Sequence, residues 1–372
     1  MKTALIHDHL AQDGGAEKVL QVLADMFQDA PIYTLLYEKK NIDRYAGRKV
    51  AASIIQKLPG GVKHYQWYLT FMPIAVEFFD LGEYDLVISD TSSFAKGVIT
   101  KPDCLHICYC HTPTRYLWSD THEYLNELKY NKWFKMIISL VISRIRLWDR
   151  AAADRVDFFI ANSVTVQKRI RKYYRRESVV IYPPVETEIF SIINPVEYAQ
   201  SEKYFLAGCR LAPYKRIDIV IEAFKLLGGD YKLKIFGDGV DMKRLKNIAG
   251  DNHNIEFLGR VTEEEKARLY QGAEAFINPQ EEDFGITAVE SMASGRPVIA
   301  YRKGGATETI IAGKTGTFFD IQTAEELEKV IRNFKSGTYD SKEIRAHAEQ
   351  FSVDNFKRQM NEFIAARKNG KQ

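Results

Sequence analysis

The chain has 372 residues, more than one hydrophobic core usually serves, so two domains are expected. Apolar residues make up 45% and charged residues 27%, which excludes a disordered or fibrous chain. With 52 Lys/Arg against 49 Asp/Glu the net charge is +3, too small to mark a nucleic-acid binder. The four cysteines (Cys104, Cys108, Cys110, Cys209) are too few and too clustered for a disulfide scaffold. The start turns polar after six residues, too soon for a signal peptide, and no stretch reaches about 18 uncharged apolar residues. A cytoplasmic protein, soluble or bound to a surface, is expected.

Short apolar runs alternate with helix-period segments, the pattern of parallel βα units. In the first half, strands are predicted at Thr3–His7, Leu86–Ser89, Leu105–Cys110, Phe158–Asn162 and Val179–Tyr182. After the first strand, Ala16–Phe27 places Val19, Leu20, Leu23, Met26 and Phe27 on one helical face. Pro183-Pro184 and the polar stretch 186–202 then interrupt the pattern and read as a linker. It restarts with strands at Tyr204–Gly208, Leu233–Phe236, Ile255–Leu258, Ala275–Asn278, Pro297–Ala300 and Thr317–Phe319, and helices at Ile217–Leu227 and Glu263–Gln271. The expected architecture is α/β, with two Rossmann-like doubly wound domains facing across a cleft. Ligands of such sheets bind at the carboxyl ends of the strands.

Three loops after predicted strands carry the chemistry. Gly14 and Gly15, in the turn from Asp13 to Lys18, let the backbone approach a bulky group, and the helix start offers N–H donors to an anion. A tight βα turn without a ligand would look the same. In Gly208–Arg216, Arg210 and Lys215 follow a strand and are placed to converge on a diphosphate; a solvated basic loop is the plainer alternative. In Glu281–Glu290, the carboxylates of Glu282 and Glu290 suit sugar and ribose diols, and amides at Phe284, Gly285 and Ile286 open a helix toward oxygen ligands.

Glu282 and Glu290 flank seven residues containing Phe284-Gly285, and Ala293-Ser294-Gly295-Arg296-Pro297-Val298-Ile299 follows. This resembles the signature of retaining glycosyltransferases of family 4, which have the GT-B fold. Gly208-x-Arg210-Leu211 with Lys215 is similar to that family's diphosphate clamp. Phe257-Leu258-Gly259-Arg260-Val261 resembles its base-contacting loop, and Gly14-Gly15 its amino-terminal glycine loop. The resemblance covers nearly the whole chain. It implies domains at 1–185 (acceptor) and 203–350 (nucleotide-sugar), a 186–202 linker, and a 351–372 helix crossing back to the first domain.

The resemblance also implies roles. Arg210 and Lys215 meet the charge on the departing diphosphate, Glu282 orients donor-sugar hydroxyls, and Glu290 holds the ribose. His111, just past a strand end, faces the donor sugar. The wording His111-Thr112-Pro113-x-Arg115-Tyr116 looks like bacterial mannosyltransferases of lipid-linked surface polysaccharides, which makes GDP-mannose the leading donor and a lipid-linked glycan the acceptor. A UDP-sugar donor is the alternative, as is a sugar-nucleotide epimerase or hydrolase. No Asp-x-Asp motif occurs, so fixed cations are expected in place of a metal, and no cofactor is implied. A zinc reading of the clustered cysteines with His111 matches no common spacing; buried strand thiols fit better.

Residues 128–176 hold 13 Lys/Arg and three acids, a local charge of +10. Within them, 133–148 is apolar, edged by Trp133 and Trp148 and broken by cations; 168–176 is strongly basic. Such a surface suits an anionic membrane, which would place the enzyme peripherally on the inner face of the plasma membrane. A core helix beside a solvated basic helix is the alternative. Nothing resembles a base-stacking module, so no nucleic-acid partner is expected.

Overall fold

The computed structural model describes residues 1–11, 14–38, 45, 47–127, 131–200 and 202–369. Asp13 of the glycine turn, 128–130 of the basic window and 370–372 of the closing helix lie outside them. The chain divides into two compact units, Met1–Tyr182 with Lys357–Gln372, and Pro183–Phe356.

The first unit is built on a parallel sheet of seven strands: β1 (Thr3–His7), β2 (Ile32–Thr34), β3 (Val50–Ala52), β4 (Leu86–Thr91), β5 (Leu105–Cys110), β6 (Phe158–Ala161) and β7 (Ser178–Val180). Their order is β3-β2-β1-β4-β5-β6-β7. The connections reverse direction between β1 and β4, the switch point where the strand ends leave room for side chains. The second unit repeats the plan with β8 (Tyr204–Gly208), β9 (Leu233–Phe236), β10 (Ile255–Gly259), β11 (Ala273–Asn278), β12 (Val298–Tyr301) and β13 (Gly316–Phe319), in the order β10-β9-β8-β11-β12-β13. Its switch point lies between β8 and β11.

Central strands are apolar on both faces, since helices cover each side. Leu206 and Ala207 of β8, and Ala275 and Ile277 of β11, are fully buried. The Ile217–Leu227 helix packs Val220, Ala223 and Phe224 into that core and stops at Gly228, whose φ of 79° closes the last turn without a Cβ clash. In the first unit, the Gly15–Met26 helix buries Val19, Leu20 and Leu23 as its periodicity predicts, while Met26 and Phe27 at its end are half-buried.

Two segments carry detail beyond the sequence reading. Residues 186–202 belong to the second unit and contain a turn at Thr187–Ile189 and a helix at Pro195–Gln200. Pro195 stands at the first helical position, where its missing N–H costs nothing. The 133–148 stretch is neither wholly core nor wholly surface. The Lys132–Ala152 helix buries Ile142, Ile145, Asp149 and Ala152, whereas Trp133, Phe134, Met136, Ile137 and Leu140 are each more than half exposed. Its carboxyl-terminal half is pinned by Asp149, which accepts from Lys96 Nζ at 2.5 Å and from Trp118 Nε1 at 2.7 Å. The closing helix, Val353–Asn369, joins the first unit from Lys357 onward, with Phe363 edge-on to Phe158 at 6.3 Å.

Candidate active site

In the second unit Arg210 and Lys215 follow β8 and Glu282 follows β11, the strands on either side of the switch point, whereas Gly259–Val261 follow β10 at the sheet edge. Lys215 ends a single turn, Pro213–Lys215, and Arg216 then takes a left-handed φ of 52° to start the next helix. A non-glycine residue in that region stores of order 1–3 kcal/mol, characteristic of over-determined functional loops. Hydrogen bonds from the Arg216 guanidinium to Gln322 (3.2 Å) and Asp218 (3.4 Å) hold the turn. Lys215 Nζ forms an ion pair with Glu282, so neighbouring strand-end loops are tied by opposite charges. Burial pushes the Lys215 pKa down, but the Glu282 carboxylate outweighs it and the ammonium is held above its ordinary range. Arg210 is exposed and donates to the Tyr214 hydroxyl at 2.8 Å, while the Tyr214 ring lies 5.3 Å from Lys215 Nζ. Tyr214 thus contacts both predicted cations, Arg210 through its hydroxyl and Lys215 through its ring.

Glycines allow the surrounding loops to close. Gly237, at φ 109°, donates to the Gly259 carbonyl at 2.7 Å, and a Cβ there would stand 1.9 Å from the Cys209 oxygen. The ends of β8, β9 and β10 therefore approach as no side chain would permit. Gly259 itself, at φ 72°, turns the chain into exposed Arg260 and half-buried Val261. Gly285, at φ 95°, precedes the Ile286–Ala293 helix. Beside it Phe284 is buried against Phe351, with ring centroids 5.5 Å apart.

Glu290 is in the second turn of that helix and only 2% exposed. Its carboxylate accepts from Lys266 Nζ at 3.0 Å and from the Tyr270 hydroxyl at 3.3 Å. Both partners come from the Glu263–Gly272 helix, which follows the Gly259–Val261 loop and is fixed by a capping box between Thr262 and Glu265. Burial, reinforced by Glu290, drives the Tyr270 phenol well above its ordinary pKa, so it remains a donor. Lys266 and Tyr270 were not singled out from the sequence. Their i, i+4 spacing, which puts both on one helix face, is the signal that could have found them.

The first unit has its own cluster at the β1/β4 switch point. His111 follows β5 and its Nε2 lies 2.6 Å from Asp90 Oδ1. Asp90 Oδ2 lies 2.9 Å from His7 Nδ1, and His7 Nε2 is 3.8 Å from Glu17 Oε1. Glu17 is in the first turn of the Gly15–Met26 helix; a Cβ on Gly14 would come within 3.0 Å of its Oε2. Nearby, Asp8 accepts from the amides of Ser92, Phe94 and Ala95, each at 2.7 Å, building the turn after β4. Of this group the sequence pointed to Gly14, Gly15 and His111; His7, Asp8, Glu17 and Asp90 emerge only from the register. Cys108 and Cys110 are buried among apolar side chains, as expected of strand thiols.

The family model described as Glycosyltransferase Family 4 matches residues 13–189, and that described as Glycosyl transferases group 1 matches 188–351. The chain is 29% identical over 210 residues to an uncharacterized glycosyltransferase of Methanocaldococcus jannaschii, covering 56% of this chain and 58% of that one. It is 25% identical over 320 residues to the alpha-1,3/1,6-mannosyltransferase ALG2 of Dictyostelium discoideum, covering 75% and 73%. It is also 31% identical over 159 residues to a GDP-mannose-dependent alpha-(1-6)-phosphatidylinositol monomannoside mannosyltransferase of Mycolicibacterium smegmatis, covering 37% and 42%. The matched region thus spans little more than half of the first relative and less than half of the last.

Among solved structures, sucrose-phosphate synthase of Thermosynechococcus elongatus aligns over 100% of both chains with a TM-score of 0.74 at 14% identity. Anabaena HepE in complex with UDP and glucose aligns over 98% of this chain and 99% of that one, with a TM-score of 0.72 at 20% identity. At such identities the likeness speaks for the fold alone. With two consecutive family domains spanning 13–351 on paired Rossmann-like sheets, the chain belongs to the GT-B glycosyltransferases of family 4.

Proposed function

We propose that the chain transfers a hexose from a nucleoside diphosphate sugar to a hydroxyl of a lipid-linked saccharide, with retention of anomeric configuration. Mannose from GDP-mannose is the leading donor. The carrying observation is the pair of contacts that Arg210 and Lys215 make with Tyr214, with Glu282 paired to Lys215 from the adjoining strand end. Fixed cations there stabilise the charge that develops on the departing diphosphate, and do so without reorganising during the reaction. The bond between the anomeric carbon and the phosphate oxygen breaks. The acceptor oxygen bonds to that carbon on the same face, and its proton passes to the departing phosphate. Glu282 then orients sugar hydroxyls, Glu290 binds the ribose diol, backbone around Gly259–Val261 meets the base, and the amides near Gly14-Gly15 and Phe284–Ile286 assist the phosphates. His111 contacts the sugar. Lysine and arginine take the place of a divalent ion in this scheme.

The mannosyltransferase names of two relatives support the donor; the UDP and glucose bound by HepE keep a UDP-sugar as the second reading. Thermal melting of the full chain against GDP-mannose, UDP-glucose and ADP-glucose tests the reading, because a ligand of the folded state raises the midpoint. A rise with GDP-mannose largest is expected; no rise with any would contradict it. An epimerase would convert its nucleotide sugar without an acceptor.

The acceptor's lipid carrier implies a membrane, and the exposed Trp133, Phe134, Ile137 and Leu140 beside Lys132 form the surface proposed to meet it on the cytoplasmic side. Among the described residues no helix is long and apolar enough to cross a bilayer. Flotation of the full chain is expected with vesicles containing phosphatidylglycerol and to weaken in Trp133→Ala/Phe134→Ala. Equal failure on anionic and neutral vesicles would refute docking.

A further inference from the structure

We propose that Asp90 and His7 are positioning residues that fix the His111 imidazole with its Nδ1 presented as a hydrogen-bond acceptor for a substrate hydroxyl. The inference rests on the reading that His111 contacts the sugar. Its structural half stands on strand register and ring–carboxylate distances, with the ionisation of Asp90 and His7 in support.

Strand register assembles the group. His7 and Asp90 are paired positions of β1 and β4, and Thr91 pairs with Cys110 of β5, the residue before His111. The His111 amide donates to the Thr91 carbonyl at 2.9 Å, and the Tyr109 ring packs edge-on at 5.3 Å, so backbone and ring are both held. Asp90 is fully buried and divides its oxygens between the two histidines. Burial would raise its pKa, but His111 and His7 outweigh that and keep it lowered. An ionised carboxylate only accepts, so each facing ring nitrogen carries hydrogen.

For His111 this means Nε2–H toward Asp90 and, in the neutral ring, a lone pair on Nδ1. Among the described residues Nδ1 has no partner. For His7, Nδ1–H points at Asp90 at 2.9 Å and Nε2 stands 3.8 Å from Glu17, an arrangement that favours the imidazolium. Burial works against the charge, yet Asp90 and Glu17 raise its pKa to about 10. Glu17 is correspondingly held low, burial opposing and His7 prevailing. Sealed at 3% exposure and permanently charged near neutrality, His7 does not serve as a base. Together with His111 it keeps Asp90 ionised. Glycine at 14 leaves Glu17 the space to reach it.

Long-range 1H–15N spectra of the labelled full-length protein read this directly, with the His111 signals identified by their loss in His111→Gln. The wild type is expected to show the neutral His111 ring as the Nε2–H tautomer, and His7 doubly protonated at pH 7.5. A His111 ring protonated at Nδ1 and bare at Nε2, or a neutral His7, would overturn the proposal whatever the enzyme's activity. Asp90→Asn, which keeps shape and removes charge, is expected to mix the His111 tautomers and to lower turnover at least tenfold. In the His111→Gln background Asp90→Asn is expected to cost little more. Full additivity of the two would show that Asp90 does not act through His111. Intact ring spectra together with no transfer from any nucleotide sugar would instead sink the functional reading and leave the tautomer assignment standing.

Discussion

Lys215→Ala is expected to lower turnover by roughly 100- to 1,000-fold, the loss typical of removing one preorganised charge donor from a developing anion. The Lys215 side chain is 16% exposed and paired with Glu282, so its charge is already in place before a donor arrives. Truncation acts twice. It removes the attraction for the diphosphate, and it leaves the equally enclosed Glu282 carboxylate without its cation, facing an incoming polyanion. Lys215→Arg retains the charge but spreads it over a planar fork that fits a different geometry, so partial activity is expected. Single-turnover release of nucleoside diphosphate at saturating donor separates the chemical step from binding. A wild-type rate in Lys215→Ala would remove the lysine from the mechanism.

Glu290 gives the second large effect, divided between stability and binding. Glu290→Ala strips Lys266 and Tyr270 of their shared acceptor inside the second unit. Breaking one side of a buried pair costs about 3–5 kcal/mol, and the low end is expected because Lys266 keeps Glu263 at 2.8 Å. Glu290→Gln holds the shape and an acceptor oxygen, so it tests binding with less structural damage. Hydrogen bonds to a charged group contribute about 1.5–3 kcal/mol, so donor affinity is expected to fall roughly 10- to 150-fold in that variant. Urea denaturation reads the first effect and calorimetric titration of the donor the second. Unchanged donor affinity in a folded Glu290→Gln would exclude a ribose contact.

Most of the sheet was legible because its strands are short apolar runs punctuated by glycine, proline and polar residues. The strands at Ile32–Thr34 and Val50–Ala52 escaped, since three residues carry no measurable alternation. The Pro195–Gln200 helix escaped for a similar reason, being too short to show a period. In the site, loop motifs with fixed internal spacing, Arg210 to Lys215 and Glu282 to Glu290, could be read directly. Their partners could not. Lys266 lies in another helix and looks like a surface lysine along the sequence. His7 and Asp90 are 83 residues apart and meet only through parallel register. Polar residues at the ends of otherwise apolar strands were the available hint, and the switch points of both sheets are where such hints concentrate.

The central claim is that the Arg210–Lys215 turn receives the diphosphate on which the sugar departs. Calorimetric titration of the full chain with the bare nucleoside diphosphate tests it most directly, comparing wild type with Arg210→Ala/Lys215→Ala, with equal melting curves establishing that both are folded. Affinity at least a hundredfold weaker in the double variant, with a shallower salt dependence, is predicted. Equal affinity in the two proteins would contradict the account.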